Sequence, residues 1–360
     1  MITITRSERR TEIMAKNAGA FKRLLMATLT FGVVSTMLVA CGSNSDGDSA
    51  SGDTDVMFAL GFSPNYGQAA FFAARGAGYY EEAGLNVDYV VPDSTQSAIK
   101  LTGIGRADLG EFFGLDPIVA AGKGIPVEVV STWAWGQLGL MSGSDNAEIN
   151  DVADLKGKTI GIFDGLPYAD VCRPRLLEAN GLKVDDVNTV SIGFDSVTPL
   201  LTGKVDASEA GSPAEDVTVE VETGQAPKFF SYNDVCPAFV YGIFANSEWA
   251  SKNPESTKKF VEATIRGMKL VAEDPAQARQ YFLDEFPDLK QDIVQFERWG
   301  AVQCGPDSAT KGLGYNGEET FQKLIDLTKE AGLVDVAPPY KDVVTDEYLP
   351  GTPVTSSACG

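Results

Sequence analysis

The sequence predicts an α/β protein made of two similar lobes. Three observations carry this. From Val56 to about residue 245, short β-rich runs alternate with helical ones, the pattern of strands joined by crossover helices into mainly parallel sheets. Gly84 and Gly181 follow "EEA" and "LLEAN", where helix C-caps belong. A long-range repeat sets "LTGIGRADLGE" (101–111) beside "LTGKVDASEA" (201–210). Each places Leu-Thr-Gly before a small-Asp-small strand start.

The chain of 360 residues has a formal charge of −21 and no histidine. Such acidity argues against nucleic acid or an anionic membrane face as a partner. The lack of histidine removes a Ser-His-Asp hydrolase, a His-ligated zinc site and a histidine general base. No cofactor is implied, and the enzyme reading is disfavoured.

Residues 1–40 read as a signal segment: Lys16, Lys22 and Arg23 precede an apolar run from Leu24 to Leu38, shorter than the ~20 residues of a spanning helix. "LVAC" ends at Cys41 and resembles a lipobox, so Cys41 is the expected lipidation site and the membrane is met through that lipid. Met14 offers an alternative start. Residues 41–54 are rich in Gly, Ser and Asp and read as a flexible tether. Removing residues 1–40, with six basic and two acidic side chains, takes the charge to −25.

In the body, strands are expected at 56–61, 86–91, 126–132, 158–163, 188–193 and 238–245, and helices at 67–83, 95–103, 115–122, 168–180 and 196–202. Beyond 245 the texture is helical. Asn253-Pro254 is a helix start, and Val261, Ile265, Met268 and Ala272 make one apolar face. A last helix is expected at 317–331, then an irregular tail at 341–360. Export puts Cys172, Cys236, Cys304 and Cys359 in an oxidising setting. Four cysteines allow three pairings; Cys236 with Cys304 is the working expectation, with Cys359 loose in the tail.

An ordered set of phrases then carries a resemblance. Phe62, Pro64, Asn65 and Gln68 follow the first strand, then Gly78-Tyr79-Tyr80 to Gly84-Leu85-Asn86-Val87. Gly105 to Gly110, Gly122 to Val127, Leu155 to Gly161 and Gly203 to Ala207 come next. Over roughly 56–335 the chain resembles the solute-binding proteins of ABC importers in the sulfonate and thiamine-pyrimidine-precursor group.

The resemblance implies a type II periplasmic-binding fold with mixed, mainly parallel sheets and a hinged cleft. Lobe one would be 55–142 plus 241–340, and lobe two 143–240. A monomeric chain would hand a small-molecule solute to ABC permease subunits. Gln68 stands where many relatives keep histidine. A thiamine-pyrimidine synthase in the same broad family consumes its own histidine and uses a cysteine-rich iron motif, neither of which is present here.

Ligand contacts are expected where loops end. Phe62, Asn65, Tyr66 and Gln68 lie at the first strand-to-helix corner, where rings and amides suit a planar ligand or cap the core. Glu111 and Phe112 end the first Ala-Asp strand. Trp133 and Trp135 share a face in an extended segment, for stacking or for core packing. Asp164 and Tyr168 precede or open a helix, and Glu209 ends the matching strand of the second lobe. Tyr241 reads as structural. Acids and rings with few cations favour a neutral or cationic nitrogenous heteroaromatic, pyrimidine-like first. The alternatives are a sulfonate or nitrate-type anion and a surface lipoprotein without a transport role.

Overall fold

The computed structural model describes residues 53–61, 63–92, 95–193 and 195–359; the signal segment, Cys41 and Phe62 lie outside the described residues. The chain runs through β1 (Thr54–Ala59), α1 (Ala69–Gly76), α2 (Tyr79–Glu82), β2 (Leu85–Val90), α3 (Thr95–Gly103), β3 (Leu109–Phe113), α4 (Asp116–Gly122) and β4 (Val127–Ser142). It continues with β5 (Thr159–Ile162), α5 (Pro167–Ala179), β6 (Asn188–Ser191), α6 (Val197–Leu201), β7 (Ala207–Ser212), α7 (Glu215–Thr223), β8 (Lys228–Ser231) and β9 (Phe239–Asn246). The rest is helical: α8 (Ser247–Lys252), α9 (Pro254–Glu273), α10 (Pro275–Glu285), α11 (Ile293–Ala301), α12 (Ser308–Lys311) and α13 (Glu318–Glu330).

Among the described residues the strands order as β2-β1-β3-β9-β4-β7-β5-β6, with β8 also on β4. Strand β4 joins two half-sheets. Its residues 127–136 pair antiparallel with β9, and residues 137–142 pair with β7 and β8. One half-sheet therefore reads β2-β1-β3-β9-β4 and the other β6-β5-β7-β4-β8, the same order twice. In each, the first three strands are parallel. The α/β expectation holds, with antiparallel strands at the junction.

The sequence repeat has a physical meaning in this frame. Asp108 Oδ2 accepts from Met57 N at 2.8 Å, and Asp206 Oδ2 accepts from Thr159 N at 2.8 Å. Each aspartate thus ties the start of its own strand to the first strand of its half-sheet, filling a ladder position with a side chain.

Three expectations change in detail. The helix expected over 67–83 breaks at Gly78, whose φ of 76° leaves the helical region. Strand β4 is far longer than 126–132 because it serves both half-sheets. The Asn253 side chain does not cap α9; its amide turns back to donate to the Trp249 carbonyl at 2.9 Å.

Helices α1, α9, α10 and α11 pack together beside the first half-sheet. The small residues of α1 allow close approach: a Cβ on Gly267 of α9 would lie 2.1 Å from the Ala70 carbonyl. Val261, Ile265 and Met268 are buried on the same helix. Among the described residues no helix is long and apolar enough to cross a membrane.

The cysteines pair as Cys172–Cys236 and Cys304–Cys359, with Cα separations of 6.1 and 5.2 Å. The expected Cys236–Cys304 pair is therefore replaced. Cys236 sits just before β9 and meets α5, whereas Cys304 sits after α11. Nor is the tail loose: Val343, Val344 and Tyr348 are buried, Val344 bridges Val129 of β4, and Cys359 is anchored by its disulfide.

Candidate functional site

A cavity opens between the corner after β1, the ends of β3 and β4, and the loops of the second half-sheet. It offers about 70 Å³ to the centres of water molecules, on the order of five waters, which suits one substituted ring. Seven aromatic rings line the wall. Trp133 and Trp299 have centroids 5.7 Å apart, Tyr241 lies 5.3 Å from Trp299 and 5.6 Å from Trp133, and Tyr66 is 6.1 Å from Trp299. Phe113, Phe163 and Phe239 complete it from both half-sheets.

The corner at 65–68 is locally determined. Asn65 Oδ1 accepts from Gly67 N at 2.6 Å while Gln68 Oε1 accepts from Asn65 N at 3.0 Å, a reciprocal capping box. Asn65 borders the cavity, yet its side chain is spent on the turn. Gln68 turns its Nε2 to Glu111 Oε2 at 3.3 Å, so it positions the acid. The Tyr66 hydroxyl lies 3.5 Å from Thr218 Oγ1, which also accepts from Gln295 Nε2 at 2.9 Å.

Two carboxylates border the cavity. Glu111, on β3, is fully buried; its Oε2 accepts from Gly61 N at 2.8 Å and its Oε1 has no partner. Burial pushes its pKa up to about 7 against the pull of the Gly61 and Gln68 hydrogen bonds. Glu215, half-buried at the start of α7, accepts from Gly211 N at 2.7 Å. Burial raises it to about 7 as well, with Asp216 adding a smaller push. A Cβ on Gly211 would sit tightly, 3.1 Å from both Glu215 Oε2 and the Tyr241 hydroxyl. Burial, followed by the nearby Glu215 charge, holds the Tyr66 and Tyr241 phenols well above the ordinary range. Among the described residues, no Lys or Arg lines this cavity.

Of the sequence-predicted residues, Asn65, Tyr66, Gln68, Glu111 and Trp133 come together here. The others do not. Phe112 points to the opposite face from Glu111, as strand alternation requires, and packs near Phe244 and Phe321. Trp135 does not share the site with Trp133, because a bulge between Thr132 and Ala134 breaks the alternation; it packs beside Gly305 and Gly317 instead. Asp164 is exposed and accepts from the Ser191 hydroxyl. Tyr168 is buried and donates to the Pro237 carbonyl at 2.6 Å. Glu209 is buried against Arg173, Tyr232 and the Phe163 amide.

Sequence reasoning missed Tyr241, Trp299 and Glu215. By sequence Tyr241 reads as structural, and Trp299 lies on a late helix with no local signal. For Glu215 a signal existed: Ser-Pro-Ala-Glu at 212–215 places an acid at a helix start after a strand.

The doubled strand order around a shared cavity defines the periplasmic-binding-protein fold, and solved structures of that fold superpose on it. The periplasmic aliphatic sulphonate-binding protein SsuA of Escherichia coli matches with a TM-score of 0.60 at 16% identity, covering 82% of this chain and 99% of its own. The periplasmic nitrate-binding protein NrtA of Synechocystis PCC 6803 gives 0.62 at 13%, covering 82% and 87%. Residues 65–278, more than half the chain, match the family described as NMT1/THI5 like, and the chain belongs to that family. It is 23% identical to the riboflavin-binding protein RibY of Chloroflexus aurantiacus over 91% of this chain and 98% of the relative. It is 25% identical to the 4-amino-5-hydroxymethyl-2-methylpyrimidine phosphate synthase THI13 of Saccharomyces cerevisiae, covering 82% and 87%. The formylaminopyrimidine-binding protein of Halalkalibacterium halodurans is 24% identical, covering 72% and 78%.

Proposed function

We propose that this chain is the extracytoplasmic solute-binding component of an ABC importer, capturing a neutral or cationic, pyrimidine-like heteroaromatic solute without altering it. One observation carries the reading. Among the described residues, the cavity walls hold aromatic rings and two carboxylates, Glu111 and Glu215, with no Lys or Arg. An anion would meet two acids with no compensating Lys or Arg, whereas a sulfonate or nitrate site calls for Arg, Lys or bare helix N-termini. Helix starts at Gln68, Leu166 and Ala214 also border the cavity, but Glu215 stands on the last of them. Rings and acids suit a flat nitrogenous molecule with N–H groups. Relatives named for binding riboflavin and a formylaminopyrimidine point the same way.

Capture works by hinge closure between lobes at 55–142 plus 241–340 and at 143–240. The two crossings are taken where β4 switches its pairing from β9 to β7 after Gly136 and where residues 232–238 join β8 to β9, a few residues before the bounds read from sequence. Glu111 and Trp133 come from one lobe, and Phe163, Leu166 and Glu215 from the other, so a solute touching both favours the closed form. Lipid on Cys41 holds this monomer at the membrane beside its permease. The synthase reading suggested by the yeast relative is set aside, because a chain without histidine lacks the residue that reaction consumes.

Calorimetric titration of the purified protein with a pyrimidine panel and an alkanesulfonate panel tests this. Heat from the pyrimidines is expected; heat from the sulfonates alone overturns it.

A further inference from the structure

Two side chains bordering the cavity each keep one polar atom without a hydrogen-bond partner: Glu111 Oε1 and Trp133 Nε1. Glu111 is fully buried and Trp133 is 1% exposed. An unsatisfied buried group is costly, and native proteins keep few of them. The two atoms are also complementary. An ionised carboxylate oxygen only accepts, and an indole N–H only donates. They come from β3 and β4, the strands on either side of β9.

We propose that this pair reads one edge of the solute: an N–H donated to Glu111 Oε1 and a ring-nitrogen lone pair accepting from Trp133 Nε1. The ligand class is thus a planar heterocycle with an amino group next to a ring nitrogen. Trp133 acts through its N–H, and the stacking role falls to its neighbours Tyr241 and Trp299. Neither atom is open to water as the walls stand, so the solute enters as a neighbour gives way. The 3.3 Å contact from Gln68 to the other Glu111 oxygen is the longest hydrogen bond holding that acid. This inference rests on the pyrimidine reading above and specifies its recognition chemistry.

The test is calorimetric titration of the full-length protein at about pH 8.5, where Glu111 is ionised, with 4-aminopyrimidine and with 4-(dimethylamino)pyrimidine, which has no N–H. The native protein is expected to prefer the amino compound by about tenfold or more. Glu111→Gln removes that preference, because its amide can present a donor where Oε1 accepted. Trp133→Phe, which keeps a ring but loses the N–H, weakens both compounds by about tenfold. Equal affinity of the native protein for both compounds, or unchanged affinities in both variants, overturns the inference and leaves the pyrimidine reading standing. So does a crystal structure in which Trp133 Nε1 donates directly to Glu111 Oε1. Binding of alkanesulfonates with no pyrimidine bound overturns the broader reading and this one with it.

Discussion

The two half-sheets place a glutamate at the same point and use it in opposite ways. Glu111 accepts from Gly61 N just beyond β1, and Glu209 accepts from Phe163 N just beyond β5, at 2.8 and 2.7 Å. Both are fully buried. The surroundings then diverge. Glu209 is held by Arg173 and by the Tyr232 hydroxyl at 2.9 Å; burial pushes its pKa up and Arg173 pulls it back. Glu111 has only the Gln68 amide beside its backbone donor, and one oxygen is left over. A buried acid with a cation of its own is a strut. A buried acid without one is available to a ligand.

On that contrast, the largest effect follows from stranding the strut. Arg173→Met leaves Glu209 buried without its cation and should cost about 3–5 kcal/mol, read from urea unfolding. A cost under 1 kcal/mol would erase the distinction between the two acids.

The next effect is a pH dependence carried by the cavity side. Glu111 and Glu215 bind a proton near pH 7 when folded and near the ordinary glutamate value when unfolded. Between about pH 4.5 and 7 the folded chain therefore holds the extra proton, and stability falls as pH rises through that window, by about 1.4 kcal/mol per pH unit for each acid. Above it both states are ionised, and below it both are protonated. Thermal unfolding of Glu111→Gln across this range should show a shallower slope than the native protein; an identical slope would mean that Glu111 does not titrate there.

Matched aspartates sharpen the comparison further. Asp108→Ala and Asp206→Ala each remove one side-chain acceptor from a strand amide, at equal distances, and should cost about 1 kcal/mol apiece. A several-fold difference in denaturant midpoints between them would break the equivalence of the half-sheets. The smallest effect belongs to Glu111→Gln near pH 4, where Glu111 is protonated in the folded and the unfolded chain alike. It strands no cation and keeps an oxygen for Gly61, so a stability change within about 1 kcal/mol is expected.

How far the sequence reached can be judged from particular residues. The Leu-Thr-Gly repeat located both aspartates and, through their strands, both glutamates. It could not say that one glutamate meets Arg173, because an arginine on a helix reads the same whether it faces water or a buried acid. Tyr66 and Gln68 were legible from the corner at 62–68, since a capping box is a local pattern. Trp135 was misplaced because a bulge leaves no mark in the composition of a strand.

By itself, then, the order of strands and helices, the internal duplication and the acid-and-ring character of the site were written in the chain, since periodicity, caps and turns act over a few neighbouring residues. The disulfide partners, the arrival of Trp299 and Tyr241 at the cavity wall and the split between a neutralised and an open glutamate were settled only in three dimensions. Each depends on which side chains from distant segments come within a few ångströms, and so on how helices pack against the half-sheets rather than on any local preference.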